Sequence, residues 1–149
     1  MNIFRTLCFS LLLALTACAE ADQDISISDA WVRATAPGQQ VAAAYMSLQS
    51  KQGSTLIKAE SNLAGTVEIH SMTMENDVMK MRMLDELPLP AGKTVRLEPG
   101  GYHLMLFDLK QPLSAGGTGE FTLHYRDQSG ELRSMTVKLP VKAAGRHGH

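Results

Sequence analysis

The stretch that decides the fold is TVEIHSMTMENDVMKMRML, Thr66 to Leu84. Two runs rich in β-branched and long apolar side chains flank the polar triplet Glu75-Asn76-Asp77, which is the pattern of two strands joined by a tight turn. If Glu75-Asn76 forms a two-residue loop, His70 stands directly across the ladder from Met81. If Asn76-Asp77 forms it, His70 faces Met83 and Met81 becomes its diagonal neighbour. Both registers put His70 and Met81 on one face of the hairpin, whereas a three-residue loop would break the parity.

Working outward, the same texture repeats along the chain. ISISDAWVRAT (Ile25–Thr35) ends at Pro37-Gly38, AAAYMSLQS stops near Gly53, and STLIKAES precedes Gly65. Later come KTVRLE, YHLMLFDL, EFTLHYRD and LRSMTVKLPV. About nine short strands, separated by turn signals roughly every eight to twelve residues, predict an all-β antiparallel sandwich or barrel. QQVAAAYM could begin as a helix but is too short to change the class. Trp31 and Tyr45 read as packing aromatics, and Met46 and Met135 as core filler.

The first eighteen residues lie outside that pattern. Arg5 precedes an apolar run from Leu7 to Leu15 that ends in small residues, which reads as an export signal. Two endings stand open: Ala17-Cys18-Ala19 fits an A-x-A cleavage site, and Leu15-Thr16-Ala17-Cys18 resembles a bacterial lipobox that would make Cys18 a lipidated N-terminus. Both imply a protein working outside the cytoplasm, in the periplasm, held to a membrane only through a lipid if at all. The apolar run is too short to span a bilayer, and no later segment approaches ~20 apolar residues. The expected β-domain covers 22–142, followed by a His-containing tail, 143–149.

Composition narrows the chemistry. Cys8 and Cys18 are the only two cysteines and both fall in the signal region, so the folded part has no thiolate or disulfide to use. Formal charge is −1 with no basic cluster, which argues against nucleic acid. Nor do the residues assemble a nucleophile–base pair, a phosphate loop or paired acids, so no enzyme is expected; Asp85, Glu86 and Glu98 read as solvated loop acids. Methionine is the anomaly: of nine in the chain, six lie between Met72 and Met105.

A second cluster explains part of that concentration. His103 and Met105 in YHLML are two apart, hence on one face of a strand. Just before them Glu98-Pro99-Gly100-Gly101 reads as a turn, with Pro setting φ at its first central position and Gly supplying positive φ at its second. A strand starting there lies near a rim where an ion can enter. Two thioethers and two imidazoles form a soft, neutral donor set that suits Cu(I) and disfavours zinc and harder ions. Outside the cytoplasm thioethers also avoid the disulfide chemistry that thiolates risk.

The spacing His70-x10-Met81-x21-His103-x-Met105 matches, at all four positions, the signature of the periplasmic copper chaperone family PCuAC. DAWVRATAPGQQVAAAYMSL, VEIHSMTMENDVMKMR and LPAGKTVRLEPGGYHLMLFDLKQPL also resemble that family, over about Ile25 to Val141. Asn76-Asp77 departs from it, standing where members usually have Asp-Gly. The resemblance implies a cupredoxin-like Greek-key fold and reversible Cu(I) binding by His70, Met81, His103 and Met105. It also implies delivery to the copper-bearing subunit of cytochrome c oxidase, in cooperation with a Sco-type thiol protein.

Bland readings sit beside these. Met72, Met74, Met79 and Met83 could line the site or extend a soft surface, and His124 reads as an ordinary strand residue. His147 and His149 in the tail are candidates for a second, weaker site taking Cu(II), as the family's His-containing extensions imply. A blue-copper electron carrier needs a Cys ligand that the folded chain lacks. A metal-free structural or interaction lipoprotein with a Met-rich core is the remaining alternative.

Overall fold

The computed structural model describes residues 23–143, which form ten strands and, among those residues, no helix. In chain order these are β1 (Ile25–Arg33), β2 (Ala42–Ser50), β3 (Ser54–Ser61), β4 (Ala64–Glu75) and β5 (Val78–Leu84). They continue as β6 (Leu87–Leu89), β7 (Thr94–Leu97), β8 (His103–Leu109), β9 (Thr118–Arg126) and β10 (Leu132–Lys142). The export signal with Cys18 and the tail with His147 and His149 lie outside the described residues.

The strands run in the order β5-β4-β8-β2-β1-β10-β9-β3-β6, with β7 pairing the far half of β2. Every pairing between strands is antiparallel except the short parallel contact of β1 with β10 at Val32–Val141 and Arg33–Lys142. That contact joins two halves whose inner faces share one core. Leu48, Ile69, Leu104 and Leu106 from one half and Leu56, Phe121, Leu123 and Leu139 from the other are all buried in it. Each comes from a strand whose intervening residues point away, which is the alternation a half-buried sheet requires.

The tenth strand, β6, is the one not read from the sequence. It is three residues long and contains Pro88, a residue that lacks the ladder donor and so sits on an edge strand. QQVAAAYM contributes to β2 and not to a helix. Met46 is core, as expected, and Met135 packs partly buried against it.

The β4–β5 hairpin adopts the second of the two registers left open. Glu75 pairs with Val78, His70 with Met83 and Met72 with Met81, so Asn76-Asp77 is the loop. Both loop residues have positive φ, 52° and 60°, as a type I′ turn demands. Asn and Asp tolerate that region at some cost, and Gly occupies it without steric penalty. Asp77→Gly is therefore expected to stabilise the fold by about 0.5 kcal/mol in urea denaturation while keeping the Met74–Met79 cross-strand NOEs. A loss of stability, or a shifted register, would contradict the turn assignment.

Candidate metal centre

The centre grows from the pairing of β4 with β8. Residues directly opposite in an antiparallel ladder share a face, and here His70 pairs with His103 and Glu68 with Met105. The neighbouring pair, Ile69 with Leu104, points the other way into the core. Burial of that apolar pair therefore presents His70, His103 and Met105 together on the outer face of the sheet. On the far side of β4 the hairpin adds Met83 opposite His70 and Met81 opposite Met72, on the same face.

The turn before β8 has the geometry its residues predict. Gly101 N–H donates to the Glu98 carbonyl at 3.0 Å, and Gly100 carries φ of 86°. Its carbonyls are used twice more. The Gly101 oxygen accepts from the backbone N–H of Met72 at 3.1 Å, and also from His103 Nδ1 at 3.1 Å.

Those partners decide which imidazole nitrogen is free. A carbonyl can only accept, so Nδ1 of His103 carries its proton, and in the neutral ring Nε2 keeps the lone pair. At His70 the roles reverse: Nε2 donates to the Glu68 carboxylate at 2.7 Å, so in the neutral ring it is Nδ1 that keeps the lone pair. That Nδ1 is buried and has no hydrogen-bond partner among the described residues. A buried polar atom left unpaired is costly, and a metal ion is one group that would satisfy it. The two rings lie 5.6 Å apart, centroid to centroid, with Phe107 6.0 Å from His70 on the other side.

Met81, His103 and Met105 line one cleft of about 230 Å³, together with Pro99 and Gly100 of the turn before β8. Met72 lines it as well, which the motif did not single out, although its parity with His70 was visible in the sequence. His70 is not on the cleft lining; it adjoins the site through His103. Arg33 and Tyr45 border the cleft, the guanidinium lying 5.3 Å from the Tyr45 ring and 5.9 Å from the Trp31 ring. Trp31 and Tyr45 pack on each other at 4.8 Å, so they are the expected packing aromatics, placed beside the site.

Burial pushes the His103 pKa below its usual value, only partly opposed by the bond to Gly101; nearby His70 and Arg33 lower it further. The ring is thus held neutral, the form that can donate a lone pair. Elsewhere, His124 is tied to Glu60 at 2.7 Å on the opposite half of the fold, as an ordinary strand residue would be. Asp85, Glu86 and Glu98 are exposed. Among the described residues no three His, Cys, Asp or Glu side chains converge, whereas methionine sulfurs lie on the same face as the two histidines.

Comparison with known proteins follows the same direction. The LpqE-like family, described as "Putative lipoprotein LpqE-like", matches residues 25–141. The chain belongs to this family. The relative "Putative lipoprotein Lxx21020" of Leifsonia xyli subsp. xyli is 32% identical over 146 residues, 89% of this chain and 85% of its own. Among solved structures, that of CuI-DR1885 from Deinococcus radiodurans is similar at TM-score 0.63 and 34% identity, over 87% of this chain and 85% of that one. The copper-bound PCuAC domain from PmoF2 gives TM-score 0.65 and 26% identity, over 82% and 95%. The LpqE-like chain thus has the cupredoxin-like β fold of the PCuAC domains, as its motif led one to expect.

The lowered His103 pKa has a measurable consequence for the metal-free protein. Protonation favours the unfolded chain, where the ring has its ordinary value of 6.5, so the contribution of a neutral His103 is complete above that value. It is lost as pH falls from there through the lowered folded value. Between about pH 7 and about pH 5 the parent is expected to lose more thermal stability than His103→Gln, read as the shift in Tm. Parallel pH profiles would contradict the burial argument.

Proposed function

We propose that this protein is a periplasmic copper(I) chaperone, in which His70, Met81, His103 and Met105 hold the ion and release it to a cuproprotein. The observation that carries this reading is the unpartnered, buried Nδ1 of His70. It adjoins His103, whose Nε2 is left free by the bond to Gly101, and His103 opens on a cleft lined by two motif thioethers. The set is soft and neutral and includes no thiolate, which fits Cu(I) better than zinc or calcium. The copper-bound PCuAC domain and CuI-DR1885, both similar to this chain, support the same ion.

Neutral ligands also suit a carrier. Met81 is 46% exposed and Met105 partly so, and a thioether can leave without stranding a charge when a stronger donor approaches. The deeper His pair would keep its hold while the sulfurs exchange. We take the recipient to be the copper centre of cytochrome c oxidase, with a Sco-type thiol protein cooperating; this follows the family likeness. The lipoprotein names of the relatives support export and an anchor at Cys18. His147 and His149 would supply a weaker Cu(II) site, and no catalytic step belongs to this reading.

Titration with Cu(I) under reducing conditions, followed by X-ray absorption, tests the assignment. One tightly held equivalent with two sulfur and two nitrogen neighbours is expected, and Met81→Ala or His103→Ala should weaken it by about tenfold or more. Three sulfurs and one nitrogen would put Met72 in place of His70. Only oxygen and nitrogen neighbours, or unchanged affinity in both variants, would overturn the reading and favour a metal-free structural protein.

A further inference from the structure

The hairpin beyond the cleft has two faces of opposite character. One carries Ser71, Thr73, Glu75, Lys80 and Arg82, with Val78 opposite Glu75 beside the turn, and Glu75 accepts from Lys80 at 2.7 Å and from Arg82 at 3.1 Å. The other carries, beyond His70, nothing but thioethers: Met74 opposite Met79, Met72 opposite Met81, and Met83 opposite His70. Four of these are far from buried, Met74 at 63% exposure, Met83 at 57%, Met79 at 49% and Met81 at 46%. They do not fill a core. Strand propensity does not call for them either, since an exposed sheet face favours Thr, Val, Ile or aromatics. Scattered exposed apolar residues are ordinary, whereas a contiguous patch of one side-chain type points to a binding role.

We propose that Met72, Met74 and Met79 form a second, outer site for a soft monovalent cation, through which Cu(I) enters or leaves the cleft. The proposal rests on the copper(I) reading above. Directly paired residues have Cβ atoms about 4.5–5.5 Å apart, and methionine's three rotatable bonds let sulfurs at that separation turn onto one ion. Met74 and Met79 are such a pair, and Met72 lies next to Met74 on the same face. Met72 also lines the cleft with Met81, His103 and Met105, so it belongs to both places and would pass the ion between them. The cations of the hairpin, Lys80 and Arg82, sit on the opposite face and are paired with Glu75, so they do not repel an ion on the thioether side. Three neutral sulfurs without imidazole bind more weakly than a mixed set with buried His, which is what a transfer point requires.

The test uses the full chain labelled with 13C in its methionine methyl groups and titrated with Ag(I), a redox-inert stand-in for Cu(I). The first equivalent should shift the Met81 and Met105 methyl signals, and the second those of Met74 and Met79. Met74→Leu with Met79→Leu, which keeps apolar bulk on the hairpin, should lose the second equivalent and retain the first with affinity within about twofold. Saturation at one equivalent, with Met74 and Met79 unmoved, would overturn the outer site and leave the four-residue centre standing. If silver moved Met74 and Met79 but never Met81 or Met105, the outer site would stand and the inner assignment would fall.

Discussion

The alternation of side chains along β4 and β8 is the constraint on which the rest of the molecule depends. Ile69, Leu104 and Leu106 are buried to within 3% of completely, and each separates residues that point outward. Fully burying one such side chain stabilises a fold by roughly 1.5–3 kcal/mol, against a net stability of about 5–15 kcal/mol for a domain. Slipping β4 by one residue would turn Ile69 to solvent and His70 inward, and slipping β8 would do the same to Leu104 and Leu106 and to His103. The core therefore selects the register, and the register assembles the His pair and the thioethers on the outside.

That outward face is unusual in how it treats polar atoms. Two histidines are buried at 8% and 4% exposure on a side of the sheet where solvent would normally satisfy them. Each has one nitrogen committed to a protein acceptor, Glu68 or Gly101, which orients the ring and frees the other nitrogen. Orientation of a ligand by a partner on its far nitrogen is the usual way a protein prepares imidazole for a metal. In the proposed copper(I) carrier, preorganised nitrogen with exchangeable sulfur would be a division of labour suited to carrying an ion and giving it up.

Much of this was legible in the chain. The strand pattern predicted nine of ten strands, and missed β6 because three residues with a central proline carry too little alternation to read. Parity alone put His103 beside Met105, and His70 on the face of Met81 in either two-residue register. Which register holds was undecided, since Glu75-Asn76 and Asn76-Asp77 are both plausible turn pairs. The structure chose the second, and with it Met83 became the direct neighbour of His70 and Met72 that of Met81. Met72 as a cleft residue could have been suspected from parity, but its depth could not. Arg33 and Tyr45 could not have been found at all, because they come from β1 and β2, far away in sequence.

The sequence by itself determined the donor types, their spacing and the face each takes on its own strand, because side-chain direction in a strand is a local property with a period of two. It also limited any sulfur donor of the β-domain to methionine, since the only cysteines are Cys8 and Cys18. Only the tertiary structure decided that β4 lies next to β8, so that His70 meets His103 across the ladder. That adjacency is set by non-local burial of Ile69 against Leu104 and the shared core, which no short window of residues contains. The free nitrogen of each ring was likewise decided by Glu68 and the Gly101 carbonyl, groups whose positions depend on the folded backbone.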